Sequence, residues 1–281
     1  MRRKCAVYAG MILAVLSGVA MAQDKAAVKL EDLTQPEASQ RDVRVLLLPI
    51  GSTEPHSNHL GYGNDARTAG ALAALSAARA NQQGARVLVL PTMPYGVNTN
   101  LVAIPHAQSI RPATMMQFVK DVVDTAEKQG IRKLVILNTH GGNKTALGAV
   151  LRELFATNPR VFVALIEGAE TYSDQLPGII ENPGEHASES ETSVSLALFP
   201  DTVHMDKAAA PRNPNFRLKS LQVPYITLVR PWKYVSDTTG HGNPTKATAE
   251  KGRKLVEVFV DRISALLKEL SDAEVTEKFP Y

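Results

Sequence analysis

Val43-Arg-Val-Leu-Leu-Leu-Pro-Ile50, closed by Gly51, is a short apolar run that ends on a turn residue. Without polar alternation it reads as a strand buried on both faces, the kind a parallel sheet contains. Three further runs share this character: Arg86-Val-Leu-Val-Leu90 stopped by Pro91, Lys133-Leu-Val-Ile-Leu137, and Val161-Phe-Val-Ala-Leu-Ile166. Helical signals fill the intervals. Ala66 to Ala80 is alanine-rich with Leu72 and Leu75, and Asn143 to Ala156 follows the third run. Pro112 to Lys128 has proline in its first turn and Gly130 beyond its end. This alternation predicts an α/β fold with a mainly parallel sheet covered by helices on both faces. Further along, helices are predicted from Glu189 to Leu198 and from Thr245 to Leu270, with an edge strand at Tyr225-Ile-Thr-Leu-Val229.

The chain begins differently. Met1-Arg-Arg-Lys4, the apolar run Ala6 to Ala20 and the small-x-small site Ala20-Met21-Ala22 have the form of a signal peptide over residues 1–22. That run is too short and too rich in Gly and Ala for a membrane span, so export to the periplasm or medium without stable membrane insertion is expected. The formal charge of +3 resides in this leader: without its three basic residues, 28 Lys and Arg balance 28 Asp and Glu. No nucleic-acid partner is therefore implied. The only cysteine, Cys5, also lies in the leader, which excludes disulfides and thiolate metal ligands from the rest. Residues 23–41 are polar and aperiodic, and read as a flexible mature N-terminus. Residues 42–281 are long enough for one domain with one large core.

The unusual polar clusters follow the strands, at the end of an open α/β sheet where ligands bind. Gly51-Ser-Thr-Glu54-Pro-His56-Ser-Asn-His59 follows the first, and Asn138-Thr-His140-Gly-Gly-Asn143 the third. Glu167 and Glu170 follow the fourth, with Gly184-Glu185-His186 further on. In an extended segment Glu54 and His56, two residues apart, point the same way and serve one shared or two adjacent ions. Asp65 follows just before a helix, where an anionic side chain also suits a simple cap. Gly141 and Gly142 let the backbone beside His140 pass close to a ligand. Oxygen and nitrogen ligands without sulfur suit Zn, Mn or Fe(II). Two such ions sharing a carboxylate can bind a hydroxide between them and polarise a carbonyl, which amide hydrolysis requires.

Four motifs in order carry a family resemblance. Leu48-Pro-Ile-Gly-Ser-Thr-Glu54-Pro-His56-Ser-Asn-His59-Leu-Gly-Tyr-Gly-Asn-Asp65, Asn138-Thr-His140-Gly-Gly-Asn143, Gly184-Glu-His186-Ala-Ser-Glu189-Ser-Glu191-Thr-Ser193 and Gly242-Asn-Pro-Thr-Lys-Ala-Thr-Ala-Glu-Lys-Gly252 resemble the successive motifs of the creatininase family. The resemblance covers about residues 42–270. It implies a three-layer α/β/α fold and a binuclear site, with Glu54, His56, Asp65 and His140 as ligands and Asp65 bridging. It also implies His186 as the acid/base histidine, a role that neutral imidazole suits. His59, Gly141, Gly142 and Asn143 are expected to contact substrate or hold the ligands in place, His59 by supporting a ligand and Asn143 with a helix cap as its other reading.

This chain departs from the creatinine hydrolases at Gly142, where they carry a glutamate ligand. The missing ligand is expected from Glu189, with Glu191 the alternative. Trp232, the only tryptophan, falls outside the matching motifs, and His106-Ala107 replaces a Gly-Thr pair, so a substrate other than creatinine is expected. The resemblance thus implies a metal-dependent amidohydrolase with two divalent ions per subunit, acting on the C–N bond of a small amide, cyclic amide or formamide, and a homo-oligomer, often a hexamer in this family. The alternatives are a family peptidase acting on a short peptide, and an inactive periplasmic small-molecule binding protein.

Overall fold

The computed structural model describes residues 28–281 apart from residue 224. The leader read over residues 1–22 lies outside the described residues. Four strands form one sheet: β1 (Val45–Ile50), β2 (Val87–Val89), β3 (Lys133–Asn138) and β4 (Phe162–Glu167), in the order β2-β1-β3-β4. Every pairing is parallel. The principal helices are α1 (Asn64–Gln82), α2 (Pro112–Lys128), α3 (Lys144–Thr157), α4 (Glu189–Leu198) and α5 (Ala249–Asp272).

Alternate residues of the strands face opposite layers. Leu46, Leu48, Leu134 and Ile136 pack with Met115, Val119 and Val123 of α2 and Leu147 and Val150 of α3. Leu47, Val135 and Leu137 turn the other way, onto Leu72 and Ala77 of α1 and Leu255, Phe259 and Leu267 of α5. Burying both faces makes the expected three-layer α/β/α sandwich, and explains why the strands read as unbroken apolar runs. Pro49 stands in the interior strand β1, a position that ordinarily rejects proline. Its carbonyl accepts from Met93 N at 3.0 Å, on the side where β2 has already ended at Val89, so its missing N–H removes no rung of the ladder.

Two expectations are corrected. Tyr225 to Val229 forms no strand; the β-prone composition is there, but no neighbouring strand offers a ladder. Residues 28–41 are not a free tail either. Val28 is buried and its carbonyl accepts from Val89 N at 2.9 Å, extending the edge beyond β2, and Gln35–Ser39 forms a helical turn with a capping box at Thr34 and Glu37. No helix among the described residues is long and apolar enough to cross a membrane.

The helix pair α4–α5 closes the second layer. A Cβ on Gly252 would overlap the carbonyl of Ser193, so only glycine permits this approach. Gly252→Ala is expected to cost about 1–3 kcal/mol, read as a melting temperature lower by roughly 2–4 °C per kcal/mol. An unchanged melting curve would contradict the packing.

Candidate active site

The carboxyl ends of β1 and β3 set the site. Gly51 ends β1, and a Cβ there would strike the backbone of Asp65 and Ala66, so the start of α1 rests directly on the strand end. Thr139 Oγ1 donates to the Asp65 carbonyl at 2.9 Å, tying α1 to the β3 loop as well. Together these contacts bring Asp65 among Glu54, His56 and His140, all four of them buried.

Two triads share Asp65. Glu54, Asp65 and His140 form one; His56, Asp65 and Glu191 form the other. Within each, one ligand atom per residue lies within 4.8 Å of the others. His140 Nδ1 stands 2.8 Å from Glu54 Oε1 and 3.2 Å from Asp65 Oδ2. His56 Nε2 stands 2.9 Å from Asp65 Oδ1 and 3.4 Å from Glu191 Oε1. Asp65 Oδ2 is buried and accepts no well-formed hydrogen bond. A carboxylate oxygen left that way costs folding free energy unless a cation completes it. The donor set of nitrogen and oxygen fits a hard or borderline divalent ion.

Glu189 is a correction to the expected ligand set. Its carboxylate faces away from the cluster and is fully engaged, by Lys251 Nζ at 2.6 Å, Glu181 N at 3.1 Å and Asn182 N at 2.8 Å. Glu191, the alternative, is the residue that reaches the site; Ala187, in the left-handed region at φ 49°, donates its N–H to Glu191 Oε2 at 2.6 Å. The sequence offered no phase for α4, and two carboxylates two residues apart on a helix point to different sides.

His186 borders the same cluster. Its Nε2 lies 3.0 Å from the Pro55 carbonyl, which only accepts, so this nitrogen carries the proton. In the neutral ring Nδ1 is then unprotonated, 3.8 Å from Glu54 Oε1. The ring lies over His56 at 4.3 Å between centroids and meets the edge of Trp232 at 4.8 Å. Trp232 therefore lines the cavity although it lies outside the motifs, in a loop held by Trp232 N donating to Asn100 O at 2.9 Å. Nothing in its sequence surroundings marked it.

The supporting residues divide the work. Asn143 Nδ2 donates to Gly51 O and Asn138 Oδ1 at 3.1 Å each, while its Oδ1 accepts from Val97 N at 2.9 Å; it clamps the β1 and β3 loops and makes no cap. Asn138, which sequence reasoning missed, accepts from His140 N at 3.2 Å and donates to Glu167 Oε2 at 2.8 Å. His59 bonds Thr192 Oγ1 at 2.8 Å, and burial lowers its pKa to about 4, so it is a neutral strut between the opening loop and α4. Gly141 lines the cavity with open space where a side chain would stand. At Gly142 a Cβ would collide with His140 Nε2 and the Val97 carbonyl. His106 and His204 are exposed and His241 is half-buried; none of them lines the cavity, of about 480 Å³.

Residues 31–267 match the family model for creatininase, creatinine amidohydrolase, and the chain belongs to that family. Among curated proteins it is 28% identical over 234 residues to the mycofactocin precursor peptide peptidase of Mycolicibacterium smegmatis, covering 80% of this chain and 85% of that protein. A crystal structure of a Bacteroides fragilis protein provisionally named a creatinine amidohydrolase superposes with a TM-score of 0.83 at 32% identity, covering 90% of this chain and 99% of that one. Creatininase solved with Mn gives 0.70 at 26% identity, over 88% and 99% of the two chains. The chain is thus a hydrolase of carbon–nitrogen bonds, with candidate metal-binding residues at the end of its sheet.

Charge organises these residues before any ion arrives. Burial, the largest influence on His140, disfavours its cation, but Glu54 and Asp65 outweigh it and raise the pKa from 6.5 to about 10. For His56, too, burial opposes the charge, and Asp65 with Glu191 holds the ring well above the ordinary imidazole value. Both rings are cations near neutral pH, and their ion pairs stabilise the metal-free fold fully below the unfolded pKa, an effect lost as pH rises through the folded one. A metal must displace these protons. Zinc binding to the metal-free protein at neutral pH is expected to release about two protons, read by calorimetry in buffers of different ionisation enthalpy. Binding without buffer dependence would exclude His56 and His140 as ligands.

Proposed function

We propose that the chain is a metal-dependent amidohydrolase with a binuclear centre, cleaving a C–N bond of a small amide, cyclic amide or formamide. The observation that carries this is Asp65, one buried carboxylate facing an imidazole from each side. Glu54, Asp65 and His140 would hold one ion, and His56, Asp65 and Glu191 the other, with Zn, Mn or Fe fitting the donors. When bound, such ions supply Lewis acidity toward a carbonyl and lower the pKa of water. His186 is the proton carrier. Its Nε2–H is fixed on Pro55, which leaves Nδ1 to take a proton in the cavity and pass it to the departing nitrogen. The His56 and Trp232 rings hold it in that orientation.

A second reading, hydrolysis of a peptide bond in a short peptide, is supported by the likeness to the mycofactocin peptidase. Export through the leader-like residues 1–22 and self-association into a homo-oligomer belong to the proposal as well, the first supported by the sequence and the second by the family resemblance.

Two experiments test the centre. Plasma mass spectrometry on the metal-loaded protein is expected to give about two ions per subunit, falling to about one in Glu191→Gln and unchanged in Glu189→Gln. Glu189→Gln should instead lower the melting temperature by several degrees, since it breaks a buried ion pair with Lys251. The opposite pattern would return the ligand role to Glu189. In a screen of amides, formamides and short peptides, His186→Ala is expected to lose roughly 10²–10⁴ in kcat while keeping its metal. Full turnover by that variant would remove His186 from the mechanism.

A further inference from the structure

From Lys207 to Lys233 the chain carries six basic residues and no acidic one, although charges balance over the sequence behind the leader. This segment lines much of an open groove of about 950 Å³ beside the catalytic cavity. Pro231 lines the groove and the next residue lines the cavity, and Glu185 borders both. The backbone fixes that junction: His241 N donates to His186 O at 2.8 Å, and Glu185 N to His241 O at 3.0 Å. Asn213 Nδ2 anchors the segment by donating to Val235 O at 3.1 Å and Gly240 O at 3.0 Å. Two guanidiniums, those of Arg217 and Arg230, line the groove. Arg230 lies over the Phe216 ring at 5.5 Å to the centroid, and among the described residues no carboxylate pairs with either arginine. The groove's one carboxylate, Glu185, sits at the junction, 3.6 Å from His241 Nδ1. A guanidinium held against an aromatic face, with no carboxylate of its own, is set to receive one in a two-pronged ion pair.

We infer that this groove binds the carboxylate-bearing part of an acidic peptide whose scissile amide enters the adjoining catalytic cavity. This rests on the amidohydrolase reading and, of its two forms, favours the peptide. A small amide is accommodated by the catalytic cavity of about 480 Å³ alone, whereas a chain of several residues uses the groove as well. The ions of the proposed metal centre act on the scissile carbonyl. Arg217 and Arg230 act on side-chain carboxylates elsewhere along the substrate, so they are specificity residues that set KM and leave kcat largely unchanged.

The test titrates three N-acetylated, C-amidated hexapeptides, of glycine alternating with glutamate, glutamine or lysine, into zinc-loaded and into chelator-treated protein by calorimetry. The glutamate peptide is expected to bind roughly tenfold more tightly than the glutamine peptide at low ionic strength, with the lysine peptide weakest and the preference shrinking as salt is raised. That ratio should fall to about one in Arg217→Gln/Arg230→Gln and persist in Arg217→Lys/Arg230→Lys, which separates loss of charge from loss of fold. Equal affinities, no binding of any of the three, or a preference that survives the glutamine variant would each overturn the inference. So would a preference confined to the zinc-loaded protein, which would assign the carboxylate to the metal centre. A lower molecular mass of the glutamine variant by light scattering would also overturn it, since a second copy of the chain would then cover the groove. The amidohydrolase reading fails separately, if the zinc-loaded protein cleaves none of the amides, formamides and peptides of the screen; the arginine-dependent preference decides the groove in either case.

Discussion

The carboxylate of Asp65 is the constraint around which the rest is arranged. It is 2% exposed, at the first turn of α1, with an imidazole nitrogen 2.9 Å from one oxygen and 3.2 Å from the other. A buried carboxylate is tolerated only when matched by charge and hydrogen bonds. The match must come from two segments far apart in sequence, the loop after β1 with His56 and the loop after β3 with His140. Adjacent parallel strands deliver both to the same end of the sheet. Gly51 removes the side chain that would hold α1 away. His56 and His140 in turn depress the Asp65 pKa well below the ordinary carboxylate range against the opposing influence of burial, so the anion survives where water cannot reach it.

Helix α4 is the second organiser, because its side chains leave in four directions. Glu189 pairs with Lys251 of α5, and Glu191 reaches His56. Thr192 receives His59, and Ser195 Oγ donates to Asn64 Oδ1 on α1 at 2.6 Å. Three of these contacts fix the helix so that the fourth can be accurate. This explains why a helix of ten residues carries so many buried polar groups. Each is satisfied by a different neighbour, and loss of any one is felt at the others.

The sandwich and four of the site residues were open to reading from the sequence, for reasons that also explain the failures. Buried parallel strands lack polar alternation, and Glu54, His56, Asp65 and His140 fall in loops that strand order forces together. The choice between Glu189 and Glu191 depended on the rotation of α4 about its axis, which a weakly amphipathic helix does not declare. Tyr225 to Val229 has the residues of a strand, and composition alone does not supply a partner. Val28 was hidden in a polar stretch that is anchored by a few isolated apolar residues and a backbone bond to Val89, with no periodicity to announce them. Trp232 reaches the cavity through a long loop, where no periodicity predicts which side chain turns inward.

Gly142 joins these threads. With His140 in its present orientation, Nε2 lies 3.3 Å from the Val97 carbonyl, an acceptor, so the ring keeps its proton there and presents Nδ1 to Glu54 and Asp65. A side chain at 142 would occupy the space of that ring nitrogen and of the carbonyl that orients it. A glutamate at this position and the present seat of His140 are therefore mutually exclusive. Once the position is glycine, the second triad has to draw its carboxylate from another element. On α4, Glu191 supplies it, with Oε1 3.4 Å from His56 Nε2. Glycine at 142 thus fits the present seat of His140, while the carboxylate beside His56 comes from Glu191 on α4.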